Sequence, residues 1–111
     1  MFSLQNKKAV ITGGGSGIGQ AIATLFAKQG AEVHIIDLTI ESAQETLDKI
    51  QKEGGIAYSH SCNVANQKEV VATFEKIGPI HILVNNAGIA HVGKVDTTSE
   101  GDFDKVVDVN V

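Results

Sequence analysis

A glycine-rich stretch near the start of the chain has the residue types and spacing that hold an anion. Residues 12–19 are Thr-Gly-Gly-Gly-Ser-Gly-Ile-Gly, between an apolar run at 9–11 and an apolar helical pattern. Glycines permit positive φ and close backbone approach, so a turn here can leave successive N–H groups pointing outward. The following helix adds unpaired N–H groups and the positive end of its dipole. A phosphate is the anion that such a corner usually binds.

The glycine spacing distinguishes between kinds of phosphate loop. A nucleoside-triphosphate loop, Gly-x-x-x-x-Gly-Lys-Ser/Thr, needs a lysine to neutralise the terminal phosphates, but Gln20 and Ala21 follow Gly19. This excludes a nucleoside triphosphatase of that class. The dinucleotide pattern Gly-x-Gly-x-x-Gly is also out of register, and the remaining spacing is Gly13-x-x-x-Gly17-x-Gly19. On the loop alone, a glycine-rich turn that binds nothing stays open as the alternative.

Length, composition and charge describe an ordinary single domain. The chain has 111 residues, 42% hydrophobic and 20% charged, and a chain of this length can bury about two-thirds of its extended surface. The net charge is −4 and the basic residues are all lysine, which argues against a nucleic-acid surface. The lone Cys62 cannot form an intramolecular disulfide, no apolar run reaches membrane-spanning length, and residues 1–6 lack a signal-peptide core. We therefore expect a cytoplasmic protein that binds neither nucleic acid nor membrane.

Strand and helix patterns alternate along the chain. Short apolar runs predict strands at 7–12, 32–37, 56–62 and 80–84. Apolar residues at helical spacing predict helices at 17–29, 40–50 and 70–77, and a last helix after Ser99. The predicted apolar face of the first helix is Ile18, Ile22, Leu25 and Phe26, and that of the last is Phe103, Val106 and Val107. The third strand is the most polar, so we expect it near a sheet edge.

This alternation predicts an α/β fold with a parallel sheet, right-handed crossovers and helices on both faces. In such sheets ligands bind at the carboxyl ends of the strands, where the strand order reverses. The unusual residues of this chain all follow predicted strands: the glycine turn, Asp37, Asn63 and residues 85–88. Their shared position indicates a cofactor site at that edge of the sheet.

Asp37 indicates the class of cofactor. It follows Gly19 by 18 residues, at the end of the second predicted strand, where an acid can accept hydrogen bonds from both adenosine ribose hydroxyls. A helix or turn cap is the alternative role. The carboxylate would repel a 2′-phosphate, and the chain has no arginine and no lysine in the loop or just beyond Asp37. We therefore expect NAD in preference to NADP.

These residues resemble the short-chain dehydrogenase/reductase family. Its motif Thr-Gly-x-x-x-Gly-x-Gly is matched between Thr12 and Gly19, and its Asn-Asn-Ala-Gly motif between Asn85 and Gly88. The resemblance covers nearly the whole chain. It implies a Rossmann-like doubly wound parallel sheet, with strand order 3-2-1-4 for the part present and truncated relative to the full family fold. It also implies that residues 1–111 are the amino-terminal part of an NAD-binding domain.

The resemblance implies roles for individual residues. The implied cofactor-binding residues are Gly13, Ser16, Gly17, Ile18, Gly19, Asp37, Asn63, Val64, Asn86, Ala87 and Gly88. Asn63 stands where the family usually has an acidic residue that contacts adenine, and its amide oxygen can still accept from the adenine amino group. Asn110 matches a catalytic asparagine in the helix after the fourth strand, and it continues the apolar face of that predicted helix. A frayed terminus is the alternative for Asn110.

The other catalytic residues of the family, a Tyr-x-x-x-Lys pair and a serine, have no match here. Tyr58 is the only tyrosine, and Cys62 stands four residues later. The histidines at 34, 60, 81 and 91 lack metal-ligand spacing, so we expect no metal. The resemblance therefore implies the cofactor-binding half of an NAD-dependent oxidoreductase that transfers a hydride between nicotinamide and an alcohol or ketone. A non-catalytic dinucleotide-binding or sensing module is the alternative.

Two expectations concern the chain by itself. Without the tyrosine–lysine pair, residues 1–111 alone are expected to be inactive. The family's strand order sets strand four beside a fifth strand beyond Val111, so Ile80–Val84 is expected to form an unpaired apolar edge. We expect the full-length protein to be a homo-oligomer.

Overall fold

Strands and helices alternate from Lys8 to Asn85 in the folded chain. A computed structural model gives the fold, and it describes residues 3–15, 17–86 and 106–111. The strands are β1 (Lys8–Thr12), β2 (Glu32–Asp37), β3 (Ile56–Ser61), β4 (Ile82–Asn85) and β5 (Val107–Asn110). The helices in this part of the chain are α1 (Gly17–Lys28), α2 (Ile40–Lys52) and α3 (Gln67–Ile77). All except β5 lie close to their predicted bounds.

The five strands form one parallel sheet in the order β3-β2-β1-β4-β5. This confirms the Rossmann-like arrangement and its predicted order 3-2-1-4, and it confirms that the polar β3 lies at an edge. The chain moves outward from β1 through β2 to β3 and then crosses to β4 on the other side of β1. The strand order therefore reverses at β1, where ligands of such sheets bind.

Residues 107–110 form a strand where the sequence predicted a helix. β5 pairs in parallel with β4, and Ile82 lies opposite Val107. Valines at 107, 109 and 111 repeat with a period of two, and β-branched side chains favour strands. The backbone of β4 supplies hydrogen-bond partners along its length. The alternating valines and the pairing with β4 together favour a strand over the helix that the spacing of Phe103, Val106 and Val107 predicted.

This pairing overturns the expectation that Ile80–Val84 would be an unpaired edge, because β5 covers β4. It also changes the predicted helix face. Val107 is 56% exposed and Val106 packs partly against the core, while Phe103 and Ser99 lie outside the described residues.

An apolar layer covers each face of the sheet. The first layer, between the sheet and α1 and α2, includes Ile11, Val33, Ile35, Leu47, Ile50 and Val84. The second layer, beneath α3, includes Val10, Ile36, Cys62, Val70, Phe74, Ile77 and Leu83. Strands β1, β2 and β4 are buried on both faces, which explains their continuous apolar sequences. None of the helices described is long and apolar enough to cross a membrane.

The buried stripe of α1 differs from the predicted one. Gly19, Ala23 and Ala27 are the buried residues of this helix, whereas Ile18 and Leu25 are 60% and 53% exposed. Ile22 and Phe26 pack beside the stripe and are half-buried. The expected face was therefore half wrong, because small residues allow the helix to approach the sheet closely and the larger side chains move to its flanks.

Polar side chains of β2 and β3 contact one another on the face of the sheet that α3 covers. The buried His34 lies with Nε2 2.6 Å from Glu32 Oε2 and Nδ1 2.9 Å from His60 Nε2. The ring of Tyr58 stacks on His34, with centroids 5.0 Å apart. Burial lowers the pKa of His34, and burial together with the nearby His34 and Lys76 lowers the pKa of His60 to about 4.

These lowered pKa values predict a loss of stability in mild acid. The unfolded histidines take up protons near their ordinary pKa of 6.5, whereas folded His60 stays neutral until about pH 4. The contribution of these histidines to the free energy of unfolding should therefore be constant above that ordinary value and fall as the pH drops from it towards 4. Urea unfolding of the full-length protein at pH 8, 7, 6 and 5 measures this.

The variant His60→Gln retains a donor for His34 and cannot titrate. Its unfolding midpoint should depend less on pH than that of the wild type between pH 6.5 and 5. Equal slopes for the two proteins would show that His60 does not carry the effect.

Candidate functional site

The carboxyl ends of the strands bring most of the predicted site residues to one edge of the sheet. Thr12, the last residue of β1, lies in register between Ile36 and Asn85. Asp37 ends β2 and pairs with Ser61 of β3. The order of the strands thus converts positions that are far apart in sequence into one continuous edge.

The glycine loop, residues 13–19, connects β1 to α1 at this edge. Gly13 N donates to Ile36 O at 2.7 Å, so the loop begins by crossing towards β2. Gly13 and Gly17 have φ values of 68° and 59°, a left-handed conformation that favours glycine. Among the residues that the structure describes, a Cβ on Gly17 would have no neighbour within 4 Å. Ser16 lies outside the described residues.

Gly19 is required for a different reason. A Cβ at this position would overlap Gly13 O and would lie 2.6 Å from Asn86 Nδ2. The missing side chain allows α1 to begin directly against the end of β4. Next to it, Ile18 is exposed at the first turn of α1 and offers an apolar surface beside the loop.

The Asp37 carboxylate binds the glycine loop directly. Its Oδ2 accepts a hydrogen bond from Gly15 N at 3.0 Å, and its Oδ1 accepts one from Leu38 N at 3.1 Å. A carboxylate has about four acceptor positions, so this half-buried side chain can accept two more hydrogen bonds. Thr39, not Asp37, is the N-cap of α2, with its side chain accepting from Ser42 N. The alternative that Asp37 caps this helix is therefore wrong.

Asn86 connects the end of β4 to β1 and to the glycine loop by hydrogen bonds. Its Nδ2 donates to Gly13 O at 3.0 Å, and its backbone N donates to Thr12 Oγ1 at 3.0 Å. The fully buried Thr12 hydroxyl in turn donates to Asn85 Oδ1 at 3.3 Å. Ala87 and Gly88, the other predicted members of this motif, lie outside the described residues.

Asn63 and Val64 follow β3 and lie beside the end of β2, since Cys62 N donates to Asp37 O at 2.8 Å. Asn63 is exposed, and its Oδ1 accepts from Ala65 N at 3.0 Å in a local turn. One lone pair of that oxygen stays available for an outside donor. Val64 is half-buried and packs partly against the second apolar layer.

Asn110 also reaches this edge, on a strand instead of a helix. It ends β5 opposite Asn85, and Val111 N donates to Asn85 O at 3.2 Å. Asn110 is exposed. The expected position on a helix is corrected, and the catalytic role of the residue stays a prediction.

Sequence reasoning missed a polar network behind the loop. Thr46 of α2 is fully buried and its hydroxyl donates to Gly14 O at 2.8 Å. Gln20 Nε2 donates to Thr46 Oγ1 at 2.9 Å. A signal was present in the sequence, because Thr46 lies three residues after Ala43 and four before Ile50, on the apolar face of the helix. A hydroxyl aimed into a core needs a partner.

The site thus combines an open loop position at Gly17, a helix N-terminus, an exposed isoleucine and a carboxylate with spare acceptor capacity. These groups suit a ligand with a phosphate, an apolar or aromatic part and paired hydroxyls. In the described part of the chain no group of histidine, cysteine and acidic side chains is arranged to hold a metal ion.

Comparison with known proteins identifies the family. The sequence matches the family described as short chain dehydrogenase over residues 7–111. The chain belongs to the short-chain dehydrogenase/reductase family. It is 45% identical to an uncharacterised oxidoreductase of Thermotoga maritima over 112 aligned positions, 40% identical to cyclohexanol dehydrogenase of Acinetobacter, and 38% identical to 7α-hydroxysteroid dehydrogenase of Escherichia coli.

Solved structures of this family have the same fold. A hydroxysteroid dehydrogenase from Escherichia coli superposes with a TM-score of 0.71 at 40% identity, over 76% of this chain and 37% of that one. A 7α-hydroxysteroid dehydrogenase complexed with NADH and 7-oxo glycochenodeoxycholic acid gives a TM-score of 0.71 at 40% identity, over 76% and 34%. A metagenomic short-chain oxidoreductase in complex with NADP gives 0.71 at 30% identity, over 73% and 38%.

The chain aligns with less than half of each of these dehydrogenases. The alignment with the Thermotoga protein covers 99% of this chain and 45% of that protein. The alignment with the 7α-hydroxysteroid dehydrogenase covers 97% of this chain and 44% of that enzyme.

The Thr12 hydroxyl should contribute measurably to stability. The substitution Thr12→Val removes the acceptor for Asn86 N without leaving a cavity, so it should cost about 1–3 kcal/mol of unfolding free energy. Thr73→Val is the matched control, because the Thr73 hydroxyl donates only within α3, to Glu69 O, and that change should cost about 0.5 kcal/mol or less. Urea unfolding measures both, and equal costs would contradict the role of Thr12.

Proposed function

We propose that the full-length protein is an NAD-dependent oxidoreductase of the short-chain dehydrogenase/reductase family that acts on an alcohol or a ketone. The observation that carries the proposal is the Asp37 carboxylate, which lies beside the glycine loop with two acceptor positions that no described residue occupies. Paired ribose hydroxyls are the donors that match two such positions. Family membership supplies the reaction class, and Asp37 supplies the choice of cofactor.

The residues of this edge fit a dinucleotide from its adenosine end to its centre. Asn63 and Val64, next to the end of β2, would contact adenine, and Asp37 would bind the adenosine ribose. The open backbone at Gly17 and the N-terminus of α1 would hold the pyrophosphate. Asn86, at the end of β4, would contact the cofactor there, and the family resemblance extends that role to Ala87 and Gly88. Bound there, the cofactor supplies a hydride acceptor or donor at nicotinamide C4.

The preference for NAD follows from charge. A 2′-phosphate next to the Asp37 carboxylate would bring two negative groups together, and the chain contains no arginine to offset them. The nearby cation on α2, Lys49, is engaged by Gln20 Oε1 at 3.3 Å and by Glu45 at 3.7 Å. Relatives of this fold are known with NADH and with NADP, so this chain's own residues have to decide the matter.

The relatives support the class of substrate. Cyclohexanol dehydrogenase and 7α-hydroxysteroid dehydrogenase, at 40% and 38% identity, are both named for alcohols. In this proposal the full-length protein contributes a tyrosine and a lysine outside these 111 residues to move the proton, and Asn110 orders a water beside them. The buried free thiol of Cys62 suits a reducing compartment such as the cytoplasm.

Asp37 should control both affinity and cofactor choice. Replacing it by alanine removes a charged hydrogen-bond partner, so Asp37→Ala should weaken NAD binding by about 1–3 kcal/mol and reduce the preference over NADP. Asp48→Ala is the control, since Asp48 is an exposed acid on α2 that accepts a hydrogen bond from Gln44 of the same helix. Calorimetric titration of the full-length protein with both dinucleotides measures this, with turnover of cyclohexanol as an activity probe. Tighter binding of NADP by the wild type would refute the proposal.

Gly17 and Gly54 provide a matched pair for testing the loop. Both have positive φ, 59° and 85°, and a Cβ on either would meet no described residue within 4 Å. Alanine at either position should cost about 1–2 kcal/mol of stability from backbone strain alone. Only Gly17→Ala puts a methyl group where the pyrophosphate would bind, so it should weaken NAD binding roughly tenfold or more.

The two glycine variants are compared by urea unfolding and by NAD titration of the full-length protein. Equal loss of stability with a selective loss of binding in Gly17→Ala is the expected result. Unchanged NAD affinity in a folded Gly17→Ala protein would remove this part of the loop from the site.

A further inference from the structure

The peptide group that joins Gly14 to Gly15 is held at both ends. Gly14 O accepts a hydrogen bond from Thr46 Oγ1 at 2.8 Å, and Gly15 N donates to Asp37 Oδ2 at 3.0 Å. In a trans peptide the C=O and N–H bonds point in opposite directions within one plane. Fixing the carbonyl therefore fixes the direction of the N–H group, and with it the carboxylate that this N–H group binds.

The Thr46 hydroxyl has a defined orientation. Gln20 Nε2 donates to Thr46 Oγ1 at 2.9 Å, and Lys49 Nζ donates to Gln20 Oε1 at 3.3 Å. Because the hydroxyl already accepts from Gln20, its own hydrogen is directed to Gly14 O. The bonds run in one direction, from the cation of Lys49 to the glycine loop, and bonds in such a chain polarise one another.

Other helical threonines of this protein use their hydroxyls differently. Thr24 Oγ1 donates to Gln20 O and Thr73 Oγ1 donates to Glu69 O, each the carbonyl four residues earlier in the same helix. Thr46 instead reaches a carbonyl that is 32 residues away in sequence. It is also fully buried, so water cannot replace the bond. The Thr46 hydroxyl therefore connects α2 to the glycine loop, whereas the hydroxyls of Thr24 and Thr73 bond carbonyls of their own helices.

The loop and α2 are also in tight steric contact at this point. A Cβ on Gly15 would overlap Ser42 O in the first turn of α2 and would lie 2.5 Å from Asp37 Oδ2. Thr46 follows Ser42 by one turn of the same helix. Helix α2 thus supports the loop by backbone contact at one turn and by a hydrogen bond at the next.

We propose that Thr46 is a positioning residue for the adenosine ribose of NAD, acting through the Gly14–Gly15 peptide on the carboxylate of Asp37. This inference rests on the proposed function, because it takes NAD as the ligand. Thr46 touches no part of the cofactor in this proposal. It sets the direction of the Gly15 N–H group, which holds Asp37 Oδ2 and leaves the remaining acceptor positions of the carboxylate for the two ribose hydroxyls.

The test uses Thr46→Val, which removes the hydroxyl at nearly constant volume, and Thr46→Ser, which retains it. Thr73→Val is the matched control, since it removes a helical threonine hydroxyl beneath the opposite face of the sheet. Two properties of the full-length protein are measured. Hydrogen–deuterium exchange of peptides spanning residues 12–22 is followed without cofactor, and dissociation constants for NAD and NADP are determined by calorimetry.

In Thr46→Val, exchange in the loop peptides should accelerate and the dissociation constant for NAD should rise about 5- to 10-fold. The NAD-to-NADP preference should fall, and the KM for NAD should rise while kcat at saturating NAD stays unchanged. Thr46→Ser should restore all of these properties. Thr73→Val should change none of them.

Several outcomes would overturn the inference. Accelerated exchange in Thr46→Val with unchanged NAD affinity and unchanged preference would reduce Thr46 to a structural residue. Failure of Thr46→Ser to restore binding would show that the hydroxyl is not the active group. If Thr46→Val does not fold, Thr46→Ala, which also removes the hydroxyl that donates to Gly14 O, should weaken NAD binding in the same direction, and unchanged binding would refute the inference.

Dinucleotide binding by the wild type separates this inference from the proposed function. A wild-type protein that binds neither dinucleotide would refute the proposed function and, with it, the assignment of the ribose. A wild type that binds NAD well, together with a Thr46→Val variant that binds it equally well, would refute only the role of Thr46.

Discussion

The hydrogen bond from Gly15 N to Asp37 Oδ2 is the contact on which the organisation of this edge depends. It joins the loop after β1 to the last residue of β2 at 3.0 Å, while Asn86 joins the same loop to β4 through Gly13 O. The loop is therefore tied to both neighbours of β1, on the two sides where the strand order reverses. A turn with so many glycines has high conformational entropy when unfolded, and these two side chains restrict it to one arrangement in the folded protein.

The close packing of this region requires small residues in several layers. Gly19, Ala23 and Ala27 allow α1 to lie near the sheet, and the missing side chain of Gly15 allows the first turn of α2 to touch the loop. At Gly15 and Gly19 the space of the absent side chain is taken by backbone oxygens and by the polar side chains of Asp37 and Asn86. The position of the loop is thus decided jointly by α1, α2 and β4, and a ligand there would meet a surface that is largely preformed.

Local patterns predicted most of the fold, and long-range pairing accounts for the main error. Strand β2 and helix α1 could be located because an apolar run or a helical spacing is a property of adjacent residues. β5 could not, because its valines fit both a helical and a strand pattern, and the choice depends on pairing with β4, distant in sequence. The exposure of Ile18 was missed for a similar reason, since periodicity does not indicate how closely a helix packs. Asp37 was recognised by its spacing, whereas the helix face of Thr46 indicated its burial but could not indicate its hydrogen-bond partner, Gly14 O.

The register of β5 determines the position of Asn110 in the sheet. Residues paired across parallel strands point to the same face of a sheet, so Thr12, Asn85 and Asn110 form a row on the face covered by α3. Thr12 and Asn85 already share a hydrogen bond at 3.3 Å, and Thr12 accepts from Asn86 N. Asn110 thus lies one strand away from Asn85, and the residue after Asn85, Asn86, donates a hydrogen bond to the glycine loop. The predicted catalytic asparagine and the predicted cofactor site therefore lie on the same edge of the sheet, connected through β4.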